Sequence, residues 1–193
     1  MVNLACVDMD YLLYVLLGIG MAAACGFRVF VPFLIISIAA LTGHLRLAPD
    51  FTWLGSWPAL ITFGVATALE ITAYYIPWLD HLLDVAATPA AIVAGIIVTA
   101  SVVTGMSPIL RWTLATIAGG GIAAAVQLAT VAMRRASTYA TAGFAHPLAA
   151  TIETGGSAGM SVLSLLLPIV AGLLAILLIL VAVRWLLRRR ARA

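Results

Sequence analysis

The chain has 193 residues, 64% of them hydrophobic and 9% charged, with a formal net charge of +3. At a mean hydropathy of +1.17, it has too little polar surface for a water-soluble domain, so its solvent is a bilayer. The basic balance does not point to nucleic acid: every cation is an arginine, and Arg184, Arg188, Arg189, Arg190 and Arg192 follow the last apolar stretch as a topology signal.

This composition predicts one all-α integral membrane domain over 1–193, a polytopic transmembrane helical bundle. At ~20 residues per span, about five to seven spans fit. Asp8 and Asp10, with no basic residue before them, argue against a cleavable signal peptide. Cys6 and Cys25 lack C-x-x-C spacing and give no disulfide or metal framework.

In chain order, the first apolar block, Tyr11 to Leu41, is too long for one span. Cys25-Gly26-Phe27-Arg28 and Pro32 interrupt it, which predicts two helices or one sharply broken helix. A polar loop follows over 43–56, then a span from Trp57 to Trp78 bracketed by interfacial tryptophans. Leu79 to Thr88 reads as a polar connector and Pro89 to Thr104 as the next span. Met106-Ser107-Pro108 breaks the chain before a long span, Ile109 to Met133. Arg134 to His146 reads as a loop, Pro147 to Ser161 as a short polar segment, and Leu163 to Leu187 as a final span broken near Pro168.

If each span crosses, Arg134, Arg135 and the tail arginines share one side, while Arg46 and Arg111 lie on the other. The C-terminus, with its basic tail at 188–193, is therefore expected in the cytoplasm of a bacterial inner membrane. A two-helix repeat is read at 57–108 and 114–168. Gly64-Val-Ala-Thr-Ala-Leu-Glu70 matches Gly121-Ile-Ala-Ala-Ala-Val-Gln127, and Thr88-Pro89 matches His146-Pro147.

Candidate chemistry lies where ionisable groups interrupt apolar sequence. Arg28, beside a Gly/Pro break, reads either as a clamp on its broken helix or on Glu70, or as an anion site. Glu70 lies about two-thirds along its span, and Gln127 is its uncharged repeat partner. Glu153, with Thr154, Ser157, Gly159 and Ser161, sits in a stretch that lipid cannot face. That stretch is either close small-residue packing or a pathway lining. Arg28, Glu70, Gln127, Glu153, Thr154 and Ser157 are thus the candidate ion or substrate pathway. Asp80, His81 and Asp84 place two carboxylates at i, i+4 and form a candidate divalent-metal site at the membrane surface, the one cofactor considered. Thr88 and His146, each before a proline, are candidate helix N-termini. Catalytic triad, H-E-x-x-H, P-loop and haem-attachment motifs do not occur, which points away from an enzyme.

Gly26-Phe27-Arg28, Leu41-Thr42-Gly43, Leu69-Glu70, Ile76-Pro77, Asp80, Asp84, Thr88-Pro89 and Gly95 together resemble the DUF4126 family of bacterial integral membrane proteins, from about residue 15 to 175. The chain departs from the family pattern at Tyr74-Tyr75, where an Asp-Lys is expected, and at Thr88, where an arginine is expected. The resemblance implies a fold and a set of important positions but no activity, since the family has none assigned. The first functional expectation is a small channel or transporter for an ion or small solute, embedded in lipid and packed against further copies of itself. The alternatives are an accessory subunit bound to another membrane protein, and an interfacial metal-dependent enzyme or lipid-binding protein.

Overall fold

The computed structural model describes the backbone over 4–73, 77–141 and 146–190, and side chains over 9–73, 86–134, 150–181 and at Arg184. Among these residues all regular structure is helical and there is no strand. The helices are α1 (Leu4–Phe27), α2 (Phe30–Leu41), α3 (Trp57–Ala73), α4 (Pro77–Val102), α5 (Pro108–Leu114), α6 (Gly121–Thr141), α7 (His146–Leu166) and α8 (Pro168–Arg190). A 3-10 segment, Pro49–Gly55, leads into α3, and a π-helical segment, Ala115–Gly120, joins α5 to α6.

Proline and glycine set most of the boundaries. In an unbroken helix the ring of Pro32 would collide with the Arg28 carbonyl, so α1 stops at Phe27 and α2 restarts at Phe30. Pro32 then sits in the first turn of α2, where its missing N–H leaves nothing unsatisfied. Pro77, Pro108 and Pro168 each open a helix, and the Ser107 hydroxyl caps α5 by accepting from the Leu110 N–H. Gly43 closes α2 at φ +75°, a backbone region that favours glycine. Gly105 (φ +78°) turns the chain between α4 and α5, and the Tyr11 hydroxyl donates to its carbonyl at 3.1 Å.

Several boundaries differ from those read in the sequence. Residues 79–88 are not a connector: α4 runs unbroken through them, with Pro89 inside it. The leucines and alanines of that stretch favour helix, and an interior proline removes only one i→i−4 bond. Thr88 is therefore not at a helix start. Trp78 belongs to α4 rather than to the end of α3. The expected loop from Arg134 is a continuation of α6 to Thr141, and Leu163–Ser164 lies within α7. The 43–56 loop contains the 3-10 segment.

By length and composition, Met9–Phe27 and Pro108–Arg134 can each cross a membrane. Pro49–Gly55 with Trp57–Ala73, bent by 67°, makes a third candidate. Phe30–Leu41, Ala86–Val102 and Pro168–Val181 are apolar but shorter. That is two or three candidate spans among the described residues. The prolines cut apolar runs short, and the polar residues of α7 interrupt another.

α1 is the axis of the bundle and packs against α4, α6, α7 and α8. Contact is close because small residues line it. A Cβ on Gly26 would lie 2.6 Å from Val126 Cβ and 2.8 Å from the Ala123 carbonyl oxygen. A Cβ on Gly95 would lie 2.6 Å from Ala123 Cβ and 2.7 Å from the Gly119 carbonyl oxygen. Without such residues the backbones could not approach this far. The Thr99 hydroxyl uses the approach to donate to the Gly18 carbonyl at 3.2 Å. α7 runs antiparallel to α1, with Ser157 opposite Ala24 and Ser164 opposite Gly20. At Leu167 the chain reverses within one residue. Its N–H donates to Leu163, ending α7, and its carbonyl accepts from Ala171, starting α8.

α2 and α3 form an antiparallel pair, with the rings of Phe33 and Phe63 stacked at 4.9 Å. One end of the pair is fixed by the Ala48 N–H donating to the Ser101 carbonyl at 2.8 Å and by a salt bridge between Arg111 and Asp50. The Arg111 guanidinium also lies 5.9 Å from the centre of the Phe51 ring. Outward, Trp57, Ile61, Val65 and Leu69 make a stripe along α3 that is 56–68% exposed, as a lipid-facing surface requires.

The packing predicts a contrast between two glycine substitutions. Gly26→Ala must push α6 from α1 and should cost about 1–3 kcal/mol. Gly121→Ala, which meets nothing within 4 Å, should be neutral or stabilising by up to ~1 kcal/mol. Thermal unfolding of the two variants in lipid nanodiscs compares them directly.

Candidate functional site

The helix break gathers the ionisable residues of the interior. Where α1 stops and α2 begins, the first N–H groups of α2 have no partner within their own helix. Glu70, near the end of α3, supplies it: Oε1 accepts from the Val29 N–H at 2.8 Å and Oε2 from the Phe30 N–H at 3.1 Å. One carboxylate thus caps α2 from another helix, at the end where a helix dipole favours negative charge.

Arg28, in the break itself, is 1% exposed. Its Nη2 donates to the Ala150 carbonyl of α7 at 3.1 Å. That carbonyl also accepts from the Thr154 hydroxyl at 2.9 Å. One turn further along α7, Glu153 meets Arg134 of α6 in a two-pronged pair. The Arg134 Nε donates to Oε1 at 2.6 Å and its Nη2 to Oε2. Both side chains are buried, at 5% and 7% exposure. Next on the same face, the Ser157 hydroxyl donates to the Ala24 carbonyl at 2.9 Å. Arg28 and Arg134 both act electrostatically on Glu70. Arg28, Glu70, Arg134 and Glu153 therefore form one cluster of two cations and two carboxylates, joining α1, α2, α3, α6 and α7.

Of the residues singled out in the sequence, Arg28, Glu70, Glu153, Thr154 and Ser157 meet at this break. Gln127 lies two turns from Arg134 on the buried face of α6, and its Nε2 has no hydrogen-bond partner among the described residues. The side chains of Asp80, His81 and Asp84 lie outside the described residues, as does that of His146, the residue at which α7 opens. Among the described residues no three His, Cys, Asp or Glu side chains gather as a metal would need.

Sequence reasoning missed Arg134, which was placed in a loop as a topology marker. A usable signal existed: Gln127, Thr130 and Arg134 fall at i, i+3, i+7 and share one helical face. Arg111, which the topology count sets on the opposite side, is a buried clamp on Asp50.

The model of the DUF4126 family, described as a domain of unknown function, matches residues 15–188, nearly the whole chain. The chain belongs to that family. No curated protein and no solved structure matches it. Together with the apolar helices, the match is consistent with a membrane protein and names no activity.

The paired geometry makes a double-mutant prediction. Arg134→Leu or Glu153→Leu alone strands a buried charge and should cost about 3–5 kcal/mol. The double variant Arg134→Leu/Glu153→Leu should recover most of that loss. Reversible unfolding in mixed micelles, run as a cycle of four proteins, measures the coupling.

Proposed function

We propose that the chain is a small transporter or channel for an ion or small solute, seen with its polar centre closed. The observation that carries this reading is the gathering at a helix break of two buried arginines, a buried glutamate (Glu153) and a half-buried one (Glu70). An ionised group at the bilayer centre costs at least ~2.5–3.5 kcal/mol. Well-packed apolar residues often hold helices together as well as a buried ion pair does, or better. A bundle needing only cohesion would be better served by leucine. Helices broken near mid-membrane also recur in transporters, where their free ends face the site.

On this reading α1, α3, α4, the α5–α6 rod, α7 and α8 cross a bacterial inner membrane, and α2, 12 residues long, reaches only part of the way. With Arg134 and Arg111 removed from the topology count, the arginines at the end of α8 still outnumber the exposed Arg46. The C-terminus is then cytoplasmic, and Asp80, His81 and Asp84 lie toward the same side. The outward glycines of α7, Gly155 and Gly159, suit close packing against another copy of the chain.

A second reading, an accessory subunit of a larger membrane complex, is favoured by one observation. The Arg134–Glu153 pair has both prongs made, as a structural staple would. The two readings part on one variant. In proteoliposomes carrying a membrane potential, with interior dyes for H⁺, Na⁺, K⁺ and Cl⁻, transport predicts flux by the natural chain. It also predicts loss of that flux in a Glu70→Gln variant that still assembles. Unchanged flux in Glu70→Gln would sink the transport mechanism, whereas no flux in either protein and a partner co-purifying at fixed stoichiometry would support the subunit.

A further inference from the structure

We infer that Glu70 binds and releases a proton without leaving the helix break, so that protons are the species this centre exchanges. The step from proton exchange to proton passage rests on the transport reading above. In an unbroken helix the Val29 N–H would bond the Cys25 carbonyl and the Phe30 N–H the Gly26 carbonyl. Glu70 has taken both donors. The Cys25 and Gly26 carbonyls thereby lose the donors that a continuous helix would give them, and both residues are buried.

The break therefore presents two donors on one side and, on the other, two carbonyls whose helical donors Glu70 has taken. A carboxylate, which only accepts, satisfies the first set. A carboxylic acid has an accepting oxygen and a donating O–H, and so satisfies part of each. In the step, a proton adds to one Glu70 oxygen. The new O–H donates to the Cys25 or Gly26 carbonyl, while the other oxygen keeps its backbone N–H. The N–H released by the first oxygen is left beside the carbonyl it would bond in an unbroken helix. Deprotonation restores the starting bonds, and no bond between heavy atoms breaks.

The charged and titratable groups facing Glu70 are the Cys25 thiol from α1, Arg28 from the break and Arg134 from α6, with Glu153 of α7 behind Arg134. α3 itself adds none, and the Asp80, His81 and Asp84 side chains of α4 are outside the described residues. Glu153 already answers Arg134, so neutralising Glu70 alters the charge balance chiefly at Arg28.

The test is infrared difference spectroscopy of the full chain in phosphatidylcholine–phosphatidylglycerol vesicles, between mildly acidic and mildly basic pH. The expected result is a carboxylic-acid carbonyl band that appears on acidification and is absent from Glu70→Gln. Identical difference spectra for the two proteins overturn the proposal. If Glu70→Gln does not fold, ¹³C-labelled glutamate in the natural chain replaces it. The sequence has only two glutamates, Glu70 and Glu153, and the band must move with the label and persist in Glu153→Gln; a band that fails either condition overturns the assignment. Proton flux in the same vesicles separates the two claims. A Glu70 band without proton flux keeps the proton site and removes transport. Sodium or potassium flux without the band keeps transport and removes the proton.

Discussion

A helix interrupted inside an apolar medium leaves N–H and C=O groups that water cannot reach, each costing several kcal/mol if unanswered. The Phe27–Phe30 break creates that debt, and the surrounding bundle is arranged to meet it. Glu70 answers the donors of α2, while Arg28 and Ser157 tie the end of α1 to α7. Removing the break would remove the reason for Glu70 to be there. Removing Glu70 would leave Pro32 forcing a helix start whose first N–H groups have lost their cap. The backbone constraint comes first, and the side-chain charges follow from it.

Close packing around α1 makes those long-range bonds possible. The Ser157 hydroxyl reaches a main-chain carbonyl of another helix only because α7 and α1 approach through alanine, glycine and serine. The same closeness explains how three charges can be buried together beside the half-buried Glu70. With the helices at short range, Arg134 and Glu153 align both prongs, and a guanidinium suits that geometry better than an ammonium would. The charged centre and the small-residue seams are one design at two scales.

Much of this was legible from the chain itself. A single arginine between two apolar runs, beside Gly26 and Pro32, announces both a break and a need for partners. Glu70 and Glu153 stand out because almost no other carboxylate lies in apolar surroundings. Legibility failed where a residue's neighbours were polar for another reason. Arg134 next to Arg135 looks like the edge of a span, and only the tertiary pairing of α6 with α7 shows that it faces inward. Pro89 misled in the other direction: after a run with Asp80, His81 and Asp84 it resembles a helix start, yet the local preference for helix carries α4 through it. Two or three of the five to seven expected spans are long and apolar enough among the described residues, because prolines cut the other apolar runs short.

α3, with the 3-10 segment that leads into it, is held at its two ends by bonds of different kinds. At the outer end, Ala48 is joined to Ser101 through main-chain atoms, and Arg111 holds Asp50 beneath an aromatic ring. At the inner end the attachment is the side chain of one glutamate, on two N–H groups of the neighbouring helix. Mechanically, α3 resembles a door with a fixed hinge at one edge and a single catch at the other. Any force that parts α3 from the break is concentrated on that catch, and the swing that follows is widest on the side where the buried charges lie.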